Sequence, residues 1–227
     1  MRPVRLILIR HGHVAGNTLS EARVNGWTEC PLSPLGRRQA RALRRRLALE
    51  PPAAALYSSP LQRAVETARA LAGLPLGPLR LLPELREMYC GEIDGLPAPE
   101  AQQRYPHLWE ANQRQEDEDL HWPGGETYRE FRQRCLTGLR RIVQTHPGER
   151  AVVVTHAGVI SQILGAIHGL HSAQWASFRP GNGSLTEVEW GLGGGTLLRF
   201  DDRSHLEGLE EGGPEGAEGR PSIVPAG

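Results

Sequence analysis

The chain has 227 residues, of which 39% are hydrophobic, enough for one substantial core. Its formal net charge is zero, so no global field draws it to nucleic acid or an anionic membrane, and any anion binding must be local. All 26 basic residues are arginine, which excludes Schiff-base, P-loop and pyridoxal phosphate chemistry, each of which needs a lysine.

Cys30, Cys90 and Cys135 are odd in number and far apart, which fits reduced thiols of a cytosolic protein, and no CxxC pair points to zinc. No secretory pattern precedes the first apolar run and no stretch reaches membrane-spanning length, so a cytoplasmic location is expected.

In chain order, Val4 to Ile9 predict a buried strand that ends in Arg10-His11-Gly12. Asn17 to Pro31 are polar and turn-rich. Ser33-Pro34 then read as an N-cap with proline at the first helical position, and a helix follows to about Leu49. Leu35, Leu43 and Leu47 face inward on it, while Arg37, Arg38, Arg41, Arg44 and Arg45 mostly face water. A second short strand over Ala53 to Tyr57 stops at Ser58-Ser59-Pro60. With Ser59 as cap and Pro60 in the first turn, a helix is predicted over Leu61 to Ala72, with Arg63 near its N-terminus.

From Leu82 to about Gly125 prolines interrupt short helical pieces, the pattern of an insertion covering one side of a site. Regular structure resumes at Glu126, where Tyr128, Phe131, Cys135, Leu139 and Ile142 form an apolar stripe read as core. Arg150 to Thr155 carry a β-branched run suited to a strand buried on both faces, which ends in His156-Ala157-Gly158. Ile160, Ile163, Leu164 and Ile167 mark the next helix, closing at Gly169, and Leu185 to Trp190 with Thr196 to Phe200 predict a terminal hairpin. Beyond Leu206 the composition collapses to Gly, Glu, Pro and Ala. Residues 207–227 are therefore expected to be a disordered tail, leaving one domain over 1–206.

Alternating strands and helices predict an α/β fold with a mostly parallel central sheet whose strand C-termini share one edge. His11, Arg63 and His156 would converge there. A neutral imidazole is a competent nucleophile toward phosphorus, and arginine forks match phosphate oxygens. His11 thus reads as nucleophile, with Arg10, Arg63 and His156 as donors to the equatorial oxygens. The leaving alcohol needs a proton, and Glu87, at the start of the insertion, is the candidate acid. His13, two residues past the nucleophile, could reach substrate. The remaining histidines, at 107, 121, 146, 168, 171 and 205, match no familiar ligand set and are read as structural or solvent-facing.

These blocks, in order and over roughly residues 5–205, resemble the histidine phosphatase superfamily, also called the phosphoglycerate mutase-like proteins. The resemblance rests on Arg10-His11-Gly12, on Asn25-Gly26-Trp27 with Pro31-Leu32-Ser33, on Ser58-Ser59-Pro60-Leu61-Gln62-Arg63-Ala64, on Glu87 and on Thr155-His156-Ala157-Gly158. It implies a three-layer α/β/α sandwich and a covalent phosphohistidine on His11. It also implies Asn17 and Ala157 as further phosphate contacts, and Asn25 and Gly26 as substrate contacts. It implies no metal and no organic cofactor.

Within the family the insertion, about residues 88–126, departs from the mutase pattern. Cys90 stands where that pattern has a tyrosine, Ala98 where it has a lysine, and the paired arginines are not apparent. Gly91-Glu92-Ile93-Asp94-Gly95 and Pro123-Gly124-Gly125-Glu126 are instead similar to broad-specificity and α-ribazole phosphatases. The resulting expectation is a phosphomonoester hydrolase acting on a small phosphorylated metabolite, with no nucleic-acid or membrane partner and a homodimer admitted. A bisphosphoglycerate-dependent mutase is the alternative. A silent phospho-ligand binding module is the third reading, but it requires a broken constellation, and none is broken.

Overall fold

The computed structural model describes residues 2–15 and 22–209. Asn17 and residues 210–227 of the expected tail lie outside the described residues.

The first strand, β1 (Val4–Arg10), lies at the centre of a six-stranded sheet. Helix α1 (Pro34–Leu47) follows, capped by the Ser33 side chain on the Gly36 amide as its sequence predicts, and it stops two residues short of Leu49. Then come β2 (Ala55–Ser58), α2 (Gln62–Arg69) and a three-residue edge strand, β3 (Leu79–Leu81). Two 3-10 turns, Pro83–Leu85 and Gly91–Ile93, are followed in the insertion by α3 (Ala98–Arg104) and α4 (Pro106–Arg114). Helix α5 (Tyr128–Thr145), β4 (Arg150–Thr155), α6 (Ala157–Ile167), β5 (Leu185–Gly191) and β6 (Gly194–Asp202) complete the chain.

The strand order is β3-β2-β4-β1-β5-β6; β3, β2, β4 and β1 are parallel, and β5 and β6 join antiparallel. Strand alternation sorts the core into two layers. Leu6, Leu8, Val153 and Ala151 pack with Phe131, Leu139, Ile160 and Ile163 of α5 and α6. Ile7, Ile9, Val152 and Val154 pack with Leu43, Leu47, Ala64 and Ala68 of α1 and α2. The result is the expected three-layer sandwich.

Two local expectations change. Ser59 does not cap α2: the helix begins at Gln62 with Leu61 as its uncapped boundary residue, and it ends at Arg69. The Ser59 hydroxyl instead faces His156 at 2.8 Å, so a tertiary partner won the group that local sequence assigned to the helix. Gly12 is not needed for a left-handed turn. A Cβ there would lie 2.7 Å from the Gly36 carbonyl oxygen, so the glycine permits α1 to approach the nucleophile's loop. Edge strand β3 carried no signal, because all three of its residues are exposed.

Register fixes the site. Arg10 pairs with Thr155 and Ser58 with Val154, so β1, β2 and β4 end side by side. The His11 amide continues the ladder by donating to the Thr155 carbonyl at 2.9 Å, and the Ser59 amide donates to Val154 at 2.9 Å.

Candidate active site

The sheet edge brings together His11, Arg10, Arg63, Glu87, His156 and Ala157. The His11 and His156 rings meet edge to face with centroids 5.1 Å apart, and both are almost wholly shielded from solvent.

His11 is held in one tautomer. Its Nδ1 lies 2.8 Å from the Gly12 carbonyl, which can only accept, so the ring proton is on Nδ1. Nε2 therefore carries the lone pair, and it accepts from Arg63 Nε at 3.2 Å. Burial, reinforced by the charges of Arg63 and Arg10, holds this imidazole well below its usual pKa of 6.5. The His11 ring is thus neutral, with Nε2 as its basic nitrogen.

Arg63 is 1% exposed, which an arginine tolerates only when its donors are matched. It donates to His11, to the Thr28, Asn25 and Gly26 carbonyls at 2.9, 3.2 and 2.7 Å, and to Cys30 Sγ at 3.6 Å. All five N–H groups are engaged. Asn25 and Gly26, expected to meet substrate, here support the clamp through their backbone oxygens. Arg10 donates from Nη1 to the Pro180 carbonyl at 2.8 Å, while its buried Nε has no partner among the described residues. Burial lowers its pKa to about 10, against the attraction of Glu87 and Asp201, so it stays cationic at neutral pH.

Glu87 is half-buried. It accepts from its neighbour Met88 N at 3.0 Å and from Gly158 N, in the first turn of α6, at 3.1 Å. Those amides and the two arginines favour the carboxylate, yet desolvation outweighs them and raises the pKa. A protonated carboxyl at this position is the state needed to release an alcohol. The approach depends on Gly158, where a Cβ would fall 2.1 Å from Glu87 Oε1. Ala157 stands at the first position of α6, where helix amides face anions.

The structure separates His13 from this cluster's hydrogen bonds: its Nδ1 pairs with Ser33 Oγ at 2.8 Å and its amide with Gln39. His146 is buried between Tyr57 and Glu149, and His205 pairs with the Gly183 carbonyl; both are structural.

Several supporting residues escaped sequence reasoning. Asp94 accepts from the Gly26, Trp27 and Thr28 amides at 3.0, 2.6 and 3.2 Å and so shapes the loop that holds Arg63. Arg134 donates to the Glu84, Arg86 and Glu87 carbonyls, fixing the turn that aims the acid. Thr67 accepts from Gly12 N and donates to the Arg63 carbonyl. Only Asp94, inside a recognised glycine-flanked block, carried any local signal.

The family model for the histidine phosphatase superfamily (branch 1) matches residues 6–203. The chain belongs to this superfamily. Among its relatives, phosphoglycerate mutase-like protein 4 of Arabidopsis thaliana is 37% identical over 161 residues, 70% of this chain and 68% of that protein. Metal-independent phosphoserine phosphatase, also of Arabidopsis thaliana, is 35% identical over 70% of this chain and 66% of its own length. The chain thus spans about two thirds of each. The mycobacterial glucosyl-3-phosphoglycerate phosphatase superposes with a TM-score of 0.76 at 27% identity, covering 88% of this chain and 99% of that one. This histidine phosphatase is accordingly an enzyme of the phosphomonoester hydrolase type.

Proposed function

We propose that the protein hydrolyses a small phosphorylated metabolite through a phosphohistidine on His11 Nε2, with Glu87 as general acid and then base. In the first step the Nε2 lone pair bonds to phosphorus as the phosphorus–oxygen ester bond breaks, and the leaving oxygen takes the Glu87 proton. In the second, water attacks phosphorus, Glu87 accepts its proton, and the phosphorus–nitrogen bond breaks. Arg10, Arg63 and His156 supply donors to the equatorial oxygens, where charge develops. The Ala157 amide adds a helix-end donor.

The observation that carries this reading is the His11 ring itself, locked with its proton on Nδ1 and its lone pair on the atom beside Arg63. Relatives named as phosphatases of phosphoserine and of glucosyl-3-phosphoglycerate support an ester of a small, oxygen-rich alcohol. One of them is named metal-independent, in keeping with a mechanism in which arginines do the work of a metal. Hydrolysis is favoured over mutase transfer by Cys90 and Ala98 in the insertion. A cytoplasmic location is part of the proposal; among the described residues no helix is long and apolar enough to cross a membrane.

The test is rapid acid-free quenching during turnover of an aryl phosphate, followed by peptide mapping. An acid-labile phosphoryl adduct on His11, absent from a folded His11→Ala protein that no longer turns over, is the expected result. Turnover without that adduct, or strong loss of activity on chelation, overturns the proposal.

A further inference from the structure

His156 presents a different problem from His11. Its side chain is fully buried, its Nε2 lies 2.8 Å from Ser59 Oγ, and its Nδ1 is buried with no partner among the described residues. An unpaired polar atom in a shielded ring is costly unless a ligand completes it. If Nδ1 carries the proton, the ring offers a hydrogen-bond donor. If Nδ1 carries the lone pair, the same atom repels a phosphoryl oxygen. The tautomer therefore decides whether His156 assists or obstructs.

The Ser59 hydroxyl supplies the bias. Its oxygen already accepts the Leu61 amide at 3.3 Å, and its backbone is fixed by the Ser59 amide bond to Val154 at 2.9 Å. Ser59 is fully buried, and among the described residues the other hydrogen-bond partner of its Oγ is His156 Nε2. Directing the hydroxyl hydrogen to Nε2 gives every polar atom of Ser59 a partner. The opposite arrangement, with hydrogen on Nε2, strands the hydroxyl hydrogen in a shielded site.

We propose that Ser59 is a positioning residue which donates to His156 Nε2, so that the single ring proton resides on Nδ1 and meets the phosphoryl oxygens. This rests on the phosphohistidine reading, in which His156 serves the transferred group. The ring is held neutral by burial and by the neighbouring Arg63, so one proton and two nitrogens make the choice of tautomer real. Ser33 and His13 repeat the arrangement on the same side of the sheet: Ser33 Oγ accepts the Gly36 amide at 3.0 Å and pairs with His13 Nδ1. Here a serine with an occupied acceptor again has its hydrogen left for an imidazole.

Long-range proton–nitrogen correlation NMR reads the tautomer directly. Wild-type protein is expected to show His156 protonated on Nδ1, and Ser59→Ala to populate the Nε2-protonated form. Orthovanadate binding by Ser59→Ala should weaken about tenfold, the scale of one lost hydrogen bond, and Ser59→Thr, which keeps the hydroxyl, should recover both tautomer and affinity. A wild-type ring protonated on Nε2 overturns the proposal, as does Ser59→Ala with unchanged tautomer and vanadate affinity. A lowered Tm alone, with the tautomer intact, means that the serine only packs. If Ser59→Ala does not fold, the wild-type tautomer and a Ser59→Cys protein, with its weaker donor, decide the matter. Failure of the phosphohistidine reading is separately visible, as wild-type turnover without an adduct while the tautomer stays as assigned.

Discussion

The cup at the strand ends and the insertion beside it are built by different means. In the cup, β1 and β4 deliver His11 and His156 at their ends through parallel register, and α2, which follows β2 at the same edge, presents Arg63. In the insertion, Glu87 is placed by a single turn whose carbonyls are held by Arg134 from α5 and whose carboxyl rests on the first turn of α6. The proposed nucleophile is placed by the sheet and the proposed clamp by the helix that follows β2. The acid is a property of contacts between segments far apart in sequence, and it should be separable from them by mutation.

The sharpest way to divide the two regions is Glu87→Gln. It should lower kcat/KM for alkyl phosphates, which reports the phosphorylation of His11, by about a hundredfold or more, while kcat/KM for aryl phosphates, whose leaving groups need no proton, falls far less. Equal losses on both would return Glu87 to a structural role. For wild-type enzyme the same logic gives a pH profile: kcat/KM for alkyl esters falls as pH rises through the raised Glu87 pKa, and kcat/KM for aryl esters is flatter.

A smaller effect is expected of Gly158→Ala, which touches the cup's helix but acts on the insertion. Its Cβ would displace the Glu87 carboxyl, so alkyl turnover should fall about tenfold with His11 phosphorylation by aryl esters retained. If both steps fail together, the two regions are not independent.

The mildest test is equilibrium stability against pH, read from urea midpoints. His11 and His156 have folded pKa values below the unfolded 6.5, so the unfolded chain binds more protons as pH drops. Their contribution is complete above about pH 6.5 and is lost on acidification below it. Glu87, shifted up, works the other way, its contribution falling as pH rises above its ordinary range near 4.5. A midpoint that does not decline on acidification below 6.5 contradicts the neutral, buried state of the histidine pair.

The same division explains what could be seen from sequence. Apolar runs ending in Arg10-His11-Gly12 and Thr155-His156-Ala157-Gly158 carry their own placement, because a buried strand tells where its last residue emerges. The α1 cap and the core stripe of α5 were legible for the same local reason. Ser59 was misread because a serine before a proline signals a cap just as well as it serves a distant histidine. Arg134 carries no local signal, because nothing near it in sequence marks three carbonyls 47 to 50 positions away.

Arg63 enters the reaction with every hydrogen already committed, one of them to the very lone pair that must attack. That hydrogen works as a latch. In the proposed phosphoryl transfer Nε2 would use that lone pair to bond to phosphorus, which would free the Nε–H of Arg63 for a phosphoryl oxygen. The guanidinium can pass from nitrogen to oxygen without giving up its hold on the 25–28 loop, so grip tightens as the bond forms.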